Sequence, residues 1–228
     1  MKKIMHMFKL RMASLLLLLR ITHTASAQAK QPDFSEEIKY YRSVDSDKSI
    51  PKSPILFVGS SSIKNWMRFD STFAGYPVLN RGFGGSTLKD QIQYANDILL
   101  PHTPRQIVIY CGENDFANSD SITAATVFNR FVSYYTIIRK NYPEVPVLYI
   151  SLKPSPAKRH MMQKITTFND MMAAFAAQEK NLMFVDIYTS MLSEDGKPDP
   201  EYFGADLTHM NQKGYDIWTA QVKPLLLR

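Results

Sequence analysis

One stretch constrains this chain more than any other: Pro54-Ile55-Leu56-Phe57-Val58-Gly59-Ser60-Ser61-Ser62-Ile63. Ile55 to Val58 form an unbroken apolar run, short and without the polar alternation of a sheet that faces water. That is the pattern of a strand buried on both faces, typical of a parallel sheet covered by helices. Gly59 ends the run, and three serines stand before a helix start at Ile63-Lys64-Asn65-Trp66. Serine caps helices well, so Ser60 to Ser62 read first as a turn into that helix. Their location permits more. Open α/β sheets place ligands beyond the carboxyl ends of inner strands, and the start of a helix offers backbone N–H groups that can stabilise an oxyanion. What matters next is whether the chain supplies partners for a serine in that turn.

The same grammar recurs downstream. Pro77–Asn80, Gln106–Tyr110, Val147–Leu152 and Leu182–Asp186 read as further strands. Between them, Leu88, Ile92, Ala95, Ile98 and Leu99 recur at helical spacing after a Ser86 or Thr87 cap. A helix is expected from about Ala124 to Lys140 with Val127, Phe131, Tyr134, Tyr135 and Ile138 inward, another from about Arg159 to Glu179, and a last one from about Asn211 to Leu226. Phe34 to Tyr41 predicts a short amphipathic helix on the domain edge, and Trp66 to Phe73 a short helix and loop near the mouth of the site. Five β-α units with no internal repeat predict an α/β fold: a three-layer α/β/α sandwich with right-handed crossovers around a five-stranded parallel sheet. The expected strand order is the flavodoxin-like 2-1-3-4-5, which makes the first strand interior and puts its serine turn at the switch point.

Composition bounds the rest. The 228 residues hold one domain behind a targeting segment. Residues 1–27 have a basic start, an apolar run from Met12 to Leu19 and a small-x-small Ala25-Ser26-Ala27, the form of a secretory signal peptide whose apolar run is too short for a stable membrane span. Residues 28–53 read as a polar N-terminal extension and residues 54–228 as the functional domain, so export to the periplasm or outside the cell is expected. The formal charge of +6 misleads: Lys2, Lys3, Lys9, Arg11 and Arg20 all lie in the first 27 residues, where there is no acid, leaving 22 basic and 21 acidic residues in the mature chain. A near-neutral chain gives no reason to expect a nucleic-acid partner. The single cysteine, Cys111, follows a strand and reads as a buried thiol, with a nucleophilic role as the alternative. The five histidines, His6, His23, His102, His160 and His209, include no ligand-spaced pair, so no metal is expected. Gly82-Phe83-Gly84 lacks the third glycine of a dinucleotide fingerprint, Thr87 standing in its place, and no cofactor is expected.

Four segments converge on the carboxyl edge of the predicted sheet: Gly59–Ser62, Gly82–Thr87, Gly112–Asp115 and Asp206–His209. Acyl transfer needs a nucleophile, a base, a group that orients the base, and donors for an oxyanion. Ser61 is the candidate nucleophile, His209 the base and Asp206, three residues earlier, the orienter. The N–H groups of Ser61 and Gly85 and the Asn114 amide are candidates for the oxyanion hole. The bland alternatives are a loop histidine, a turn asparagine and a capping aspartate.

Phe57-Val58-Gly59-Ser60-Ser61, Gly84-Gly85-Ser86, Gly112-Glu113-Asn114-Asp115 and Asp206-Leu207-Thr208-His209 resemble, in order, the four blocks of the SGNH (GDSL-type) hydrolase superfamily. The resemblance implies an esterase with a Ser-His-Asp triad and no cofactor, and carries the same roles onto Ser61, Gly85, Asn114, Asp206 and His209. The first block departs from the family's Gly-Asp-Ser, reading Gly59-Ser60-Ser61, which leaves Ser60 and Ser62 as alternative nucleophiles. The Gly-Ser-Ser variant is similar to a branch associated with deacylating carbohydrates. The expected substrate is thus a small-molecule or glycan ester carrying acetyl or another small acyl group. A lipase or lysophospholipase, or an inactive carbohydrate-binding relative, is the alternative. Trp66 and Phe69 read first as packing residues; Trp66 and Lys153 are also candidate substrate contacts, Lys153 reading equally as a solvated loop lysine. Nothing in the sequence fixes an oligomeric state.

Overall fold

The computed structural model describes residues 33–46, 50–117 and 119–228. The signal-peptide reading of residues 1–27 lies outside them. The strands are β1 (Ile55–Gly59), β2 (Val78–Gly82), β3 (Gln106–Tyr110), β4 (Val147–Ile150) and β5 (Leu182–Val185). They form one sheet in the order β2-β1-β3-β4-β5, every pair parallel. Every residue of β1 and β3 is buried, which is why both read as continuous apolar runs.

Around the sheet, the helices are α1 (Ser35–Asp45), α2 (Ser61–Lys64), α3 (Phe69–Thr72), α4 (Leu88–Gln93), α5 (Ala95–Ile98), α6 (Glu113–Ala117), α7 (Ala124–Asn141), α8 (Met162–Ala176) and α9 (Gln212–Val222). Successive strand residues point to opposite faces, and aromatic rings fix a helix layer on each. On one face Phe57 and Tyr110 meet Trp66, Phe73 and Trp218, which brings α2, α3 and α9 together. On the other, Tyr149 meets Phe131 of α7 at 4.8 Å and Phe168 of α8 at 6.0 Å. Such pairs add about 0.5–1.5 kcal/mol each beyond the area they bury. The three-layer α/β/α sandwich and the 2-1-3-4-5 order are therefore as the sequence leads one to expect. Among the described residues, no helix is long and apolar enough to cross a membrane.

Three expectations change. The helix expected over 88–99 is two, α4 and α5, broken at Tyr94, whose ring stands edge-on to Phe34 and Phe83. The helix expected from Arg159 begins instead with a 3₁₀ segment, Pro156–Met161, which holds Lys158 against Glu113. Trp66 is not at the site mouth: its ring is 3 % exposed and sits among Phe57, Phe73, Tyr215 and Trp218. Burial of a large ring in the core outweighs a surface role, and Trp66 is unavailable to substrate.

The polar stretch before β1 contributes α1, which buries Phe34, Ile38 and Tyr41 in the main core. Phe34 lies edge-on to Phe83 at 5.0 Å, Tyr41 Oη donates to the Gly82 carbonyl, and Glu37 pairs with Lys64 at 2.7 Å. The three contacts land on α2, on the last residue of β2 and on the turn after it, the segments that frame the candidate site.

Candidate active site

β1 delivers Ser61 by a sharp turn. Gly59 has φ +140°, and a Cβ there would come within 2.0 Å of the Tyr110 carbonyl oxygen on β3, so only glycine lets the strand end this close to its neighbour. The Ser60 N–H donates to that same carbonyl at 3.0 Å, and Ser61 becomes the first residue of α2. Ser60 and Ser62 are buried, whereas Ser61 lines an open pocket. As a first-turn residue, Ser61 keeps an N–H with no intrahelical acceptor.

His209 arrives from the far end of the chain. Phe203 and Met210 pair as an isolated antiparallel bridge, and Gly204 N–H donates to the His209 carbonyl at 2.8 Å, closing a loop over Gly204–His209. Leu207 at its tip has φ 52°, the left-handed conformation that costs a leucine about 1–2 kcal/mol. That turn lets one Asp206 oxygen accept from the N–H groups of Thr208 and His209, each at 2.9 Å, while the other meets His209 Nδ1 at 2.6 Å. These bonds, the His209 ring first and then the backbone N–H groups, hold the Asp206 carboxyl well below the usual carboxylate range. An ionised carboxylate only accepts, so His209 Nδ1 carries the proton and Nε2 is left to accept from Ser61 Oγ–H, 3.1 Å away.

On the opposite wall lies a group that sequence reasoning missed. Glu113, at the start of α6, is buried and accepts from Tyr110 Oη at 2.6 Å and Ser155 Oγ at 2.9 Å. It also pairs with Lys153 and, at 3.0 Å, with Lys158. Burial pushes its carboxyl up, but the two ammonium groups and the bonds from Lys153 and Tyr110 outweigh that and hold it below the usual range. Lys153 is thus not a solvated loop lysine: at 2 % exposure it lines the pocket with its charge committed to Glu113. Asp115, also buried, ties the Leu88 N–H at the start of α4 to Arg130 of α7, so it braces the turn that carries Gly85. The sequence signal was there: acids inside a block that directly follows a fully buried strand have no water to face, and need cations.

Gly85 has φ +78° and open space where a side chain would stand, leaving its backbone accessible from the pocket. Asn114 donates from Nδ2 to the Ser86 carbonyl at 3.1 Å. Ser61, Gly85, Asn114 and His209 thus line one pocket of about 370 Å³, which also has Lys64, Asn65, Lys158 and Thr208 in its walls. The structure brings together the predicted serine, histidine, aspartate, glycine and asparagine, and leaves out Trp66. Cys111 is buried, and burial raises its thiol pKa far above the ordinary value, the reverse of an activated nucleophile. Among the described residues, no cluster of three or more His, Cys, Asp or Glu side chains is placed to hold a metal ion.

Comparisons with known proteins bear on the fold and the family. No curated protein matches the chain by sequence. Among solved structures, a candidate acylhydrolase from Bacteroides fragilis NCTC 9343 superposes with TM-score 0.73 at 24 % identity, over 85 % of this chain and 97 % of that one. A GDSL-like lipase from Bacteroides thetaiotaomicron VPI-5482 gives 0.71 at 25 % identity, over 82 % and 96 %. A candidate platelet activating factor from Streptococcus pneumonia gives 0.73 at 20 % identity, over 84 % and 92 %. The model of the GDSL-like Lipase/Acylhydrolase family matches residues 58–217, from the end of β1 into α9. With the sheet order, the serine turn and the histidine loop inside that match, the chain belongs to the GDSL-like lipase/acylhydrolase family, whose general chemistry is ester hydrolysis.

Proposed function

We propose that the protein is an exported serine esterase that removes acetyl or other small acyl groups from carbohydrate. Ser61 Oγ attacks the ester carbonyl carbon while His209 Nε2 takes its proton, and Asp206 steadies the imidazolium that results. The N–H groups of Ser61 and Gly85 and the Asn114 amide receive the oxyanion. Collapse expels the alcohol, protonated by His209, and leaves an acyl-Ser61. Water, deprotonated by the same histidine, then releases the acid. The observation that carries this reading is the unbroken chain from Asp206 through His209 to Ser61, at 2.6 and 3.1 Å, opening on a pocket that Gly85 and Asn114 also line. Hydrolysis of p-nitrophenyl acetate by the purified chain, against Ser61→Ala, tests it. Equal rates would overturn it and leave a carbohydrate-binding protein without catalysis.

The small-acyl part rests on what the pocket lacks. Its lining is Ser61, Lys64, Asn65, Gly84, Gly85, Glu113, Asn114, Lys153, Lys158, Thr208 and His209, with no large apolar side chain among them. Each buried methylene of a long acyl chain gains about 0.8 kcal/mol only where apolar surface receives it. The expected profile across acetyl, butyryl, octanoyl and palmitoyl esters is therefore a falling kcat/KM. A profile that rises with chain length replaces the carbohydrate reading with a lipase. The basic and apolar start of the sequence supports action outside the cytoplasm.

A further inference from the structure

We propose that Lys158 is a positioning residue: its ammonium group fixes the Asn114 amide in the one orientation that presents an Nδ2–H to the oxyanion. The proposal rests on the serine-esterase reading above and names a residue that reading does not use.

An asparagine amide can turn by half a rotation with little change of shape, exchanging its donor and acceptor ends. Two neighbours decide which end of Asn114 faces which way. The Ser86 carbonyl accepts from Nδ2 at 3.1 Å, and Lys158 Nζ faces Oδ1 at 3.4 Å. The second distance is long for a hydrogen bond, but a full charge opposite the amide dipole acts beyond hydrogen-bond range, and little water intervenes because the Lys158 side chain is only 16 % exposed. Turned over, Asn114 would set its oxygen against the Ser86 oxygen and its NH₂ against an ammonium. As it stands, one Nδ2–H is spent on Ser86 and the other is free for the pocket that Asn114 and Ser61 share.

Lys158 is itself held. Its Nζ lies 3.0 Å from Glu113 Oε1, and Glu113 is anchored by Tyr110 Oη, Ser155 Oγ and Lys153. Its backbone leaves helical geometry at φ −109°, ψ 27° inside the 3₁₀ segment, the region where a side chain can be redirected. The preceding residue, Ala157, donates its N–H to the Leu207 carbonyl at 3.1 Å, so the Lys158 turn also braces the loop that carries His209. A run of bonds therefore leads from the buried carboxyl end of β3 to Asn114. Glu113 needs Lys153 for its own charge, whereas Lys158 is the second cation on one carboxylate, and its other contact is Asn114. Electrostatic preorganisation of this kind acts on the transition state more than on the bound ester.

The test is steady-state hydrolysis of p-nitrophenyl acetate by the full chain carrying Lys158→Met, Lys158→Arg, Asn114→Ala and the Lys158→Met/Asn114→Ala pair, with Ser61→Ala as control and melting curves for each. The expected result for Lys158→Met is a fall in kcat of about 10-fold or more with KM within about 2-fold, and recovery of most of that loss in Lys158→Arg. In the Asn114→Ala background the same substitution costs less than about 2-fold, because the amide it positions is gone. Equal losses in both backgrounds, or a parental kcat for Lys158→Met beside an inactive Ser61→Ala, overturn the proposal alone. Parental activity in Ser61→Ala overturns the serine reading and this proposal with it. Should Lys158→Met fail to fold, Lys158→Gln, which keeps a donor but no charge, carries the same comparison.

Discussion

The two walls of the site are built on different principles. The Asp206–His209 side is an exposed loop: the His209 and Asp206 side chains are 44 % and 54 % exposed, and three short bonds with one left-handed leucine hold them. The Glu113 side is a buried ionic cluster: the Glu113 and Lys153 side chains are 4 % and 2 % exposed. A base must accept and release protons and exchange them with water, which suits a loop. Donors for an oxyanion gain from being fixed before the charge appears, which suits a wall that is part of the core. On the serine-esterase reading proposed above, the difference teaches that residues on the first wall bear on turnover alone, whereas those on the second bear on turnover and stability together.

The largest expected effect tests the exposed wall. His209→Ala lowers kcat by about 10⁴-fold or more while the melting temperature stays within about 2 °C. A large loss of stability would show that the loop is structural, and the contrast would break. The buried wall comes next. Glu113→Ala leaves Lys153 uncompensated and costs about 3–5 kcal/mol in urea unfolding, whereas the double change Glu113→Leu/Lys153→Met recovers much of that loss because it removes both charges. A cost below about 1 kcal/mol for Glu113→Ala would show the cluster to be solvated.

Acid titration sharpens the same point. Glu113 has a depressed pKa in the folded protein, so its contribution is complete above the unfolded value of about 4.3 and is lost as pH falls through the lower folded value. The stability difference between the parent and Glu113→Gln should stay flat from pH 7 to about 5 and shrink below about 4.3. A difference that already shrinks between pH 7 and 5.5 contradicts the assignment. The smallest effect concerns the loop tip. Leu207→Gly relieves left-handed strain but frees the unfolded chain, so the melting temperature should rise by no more than about 3 °C and kcat change by less than about 2-fold. A 10-fold drop would show that the Leu207 side chain serves the site.

Much of this molecule is legible in its sequence because parallel strands write themselves as unbroken apolar runs. Ile55–Val58 and Gln106–Tyr110 lie buried side by side in register, and the order of strands follows from crossover lengths and handedness. Three of the four segments that meet at the sheet edge are legible for the same reason, since each directly follows a strand; Asp206–His209 lies far beyond β5 and ahead of the Asn211 cap of α9, and its resemblance to the family's last block is what marks it. For Trp66 the packing reading holds and the substrate-contact reading fails, because proximity in sequence to a serine turn does not say which face a ring takes. The Trp66 ring packs with Phe69 and Phe73 across the turn into α3, one apolar cluster with Phe57. Only half of the Glu113–Lys153–Lys158 cluster is legible: an acid directly after a buried strand signals a need for cations, but which lysines meet it, 40 and 45 positions away, shows only in the closed sheet.

The most direct measurement is covalent. After reaction with a fluorophosphonate, which phosphonylates a serine activated by a neighbouring base, intact mass and peptide mapping locate the adduct. The account predicts a single adduct on Ser61, formed at least about 10³-fold more slowly in His209→Ala. An adduct on Ser60 or Ser62, or labelling of Ser61 at the same rate without His209, would contradict it.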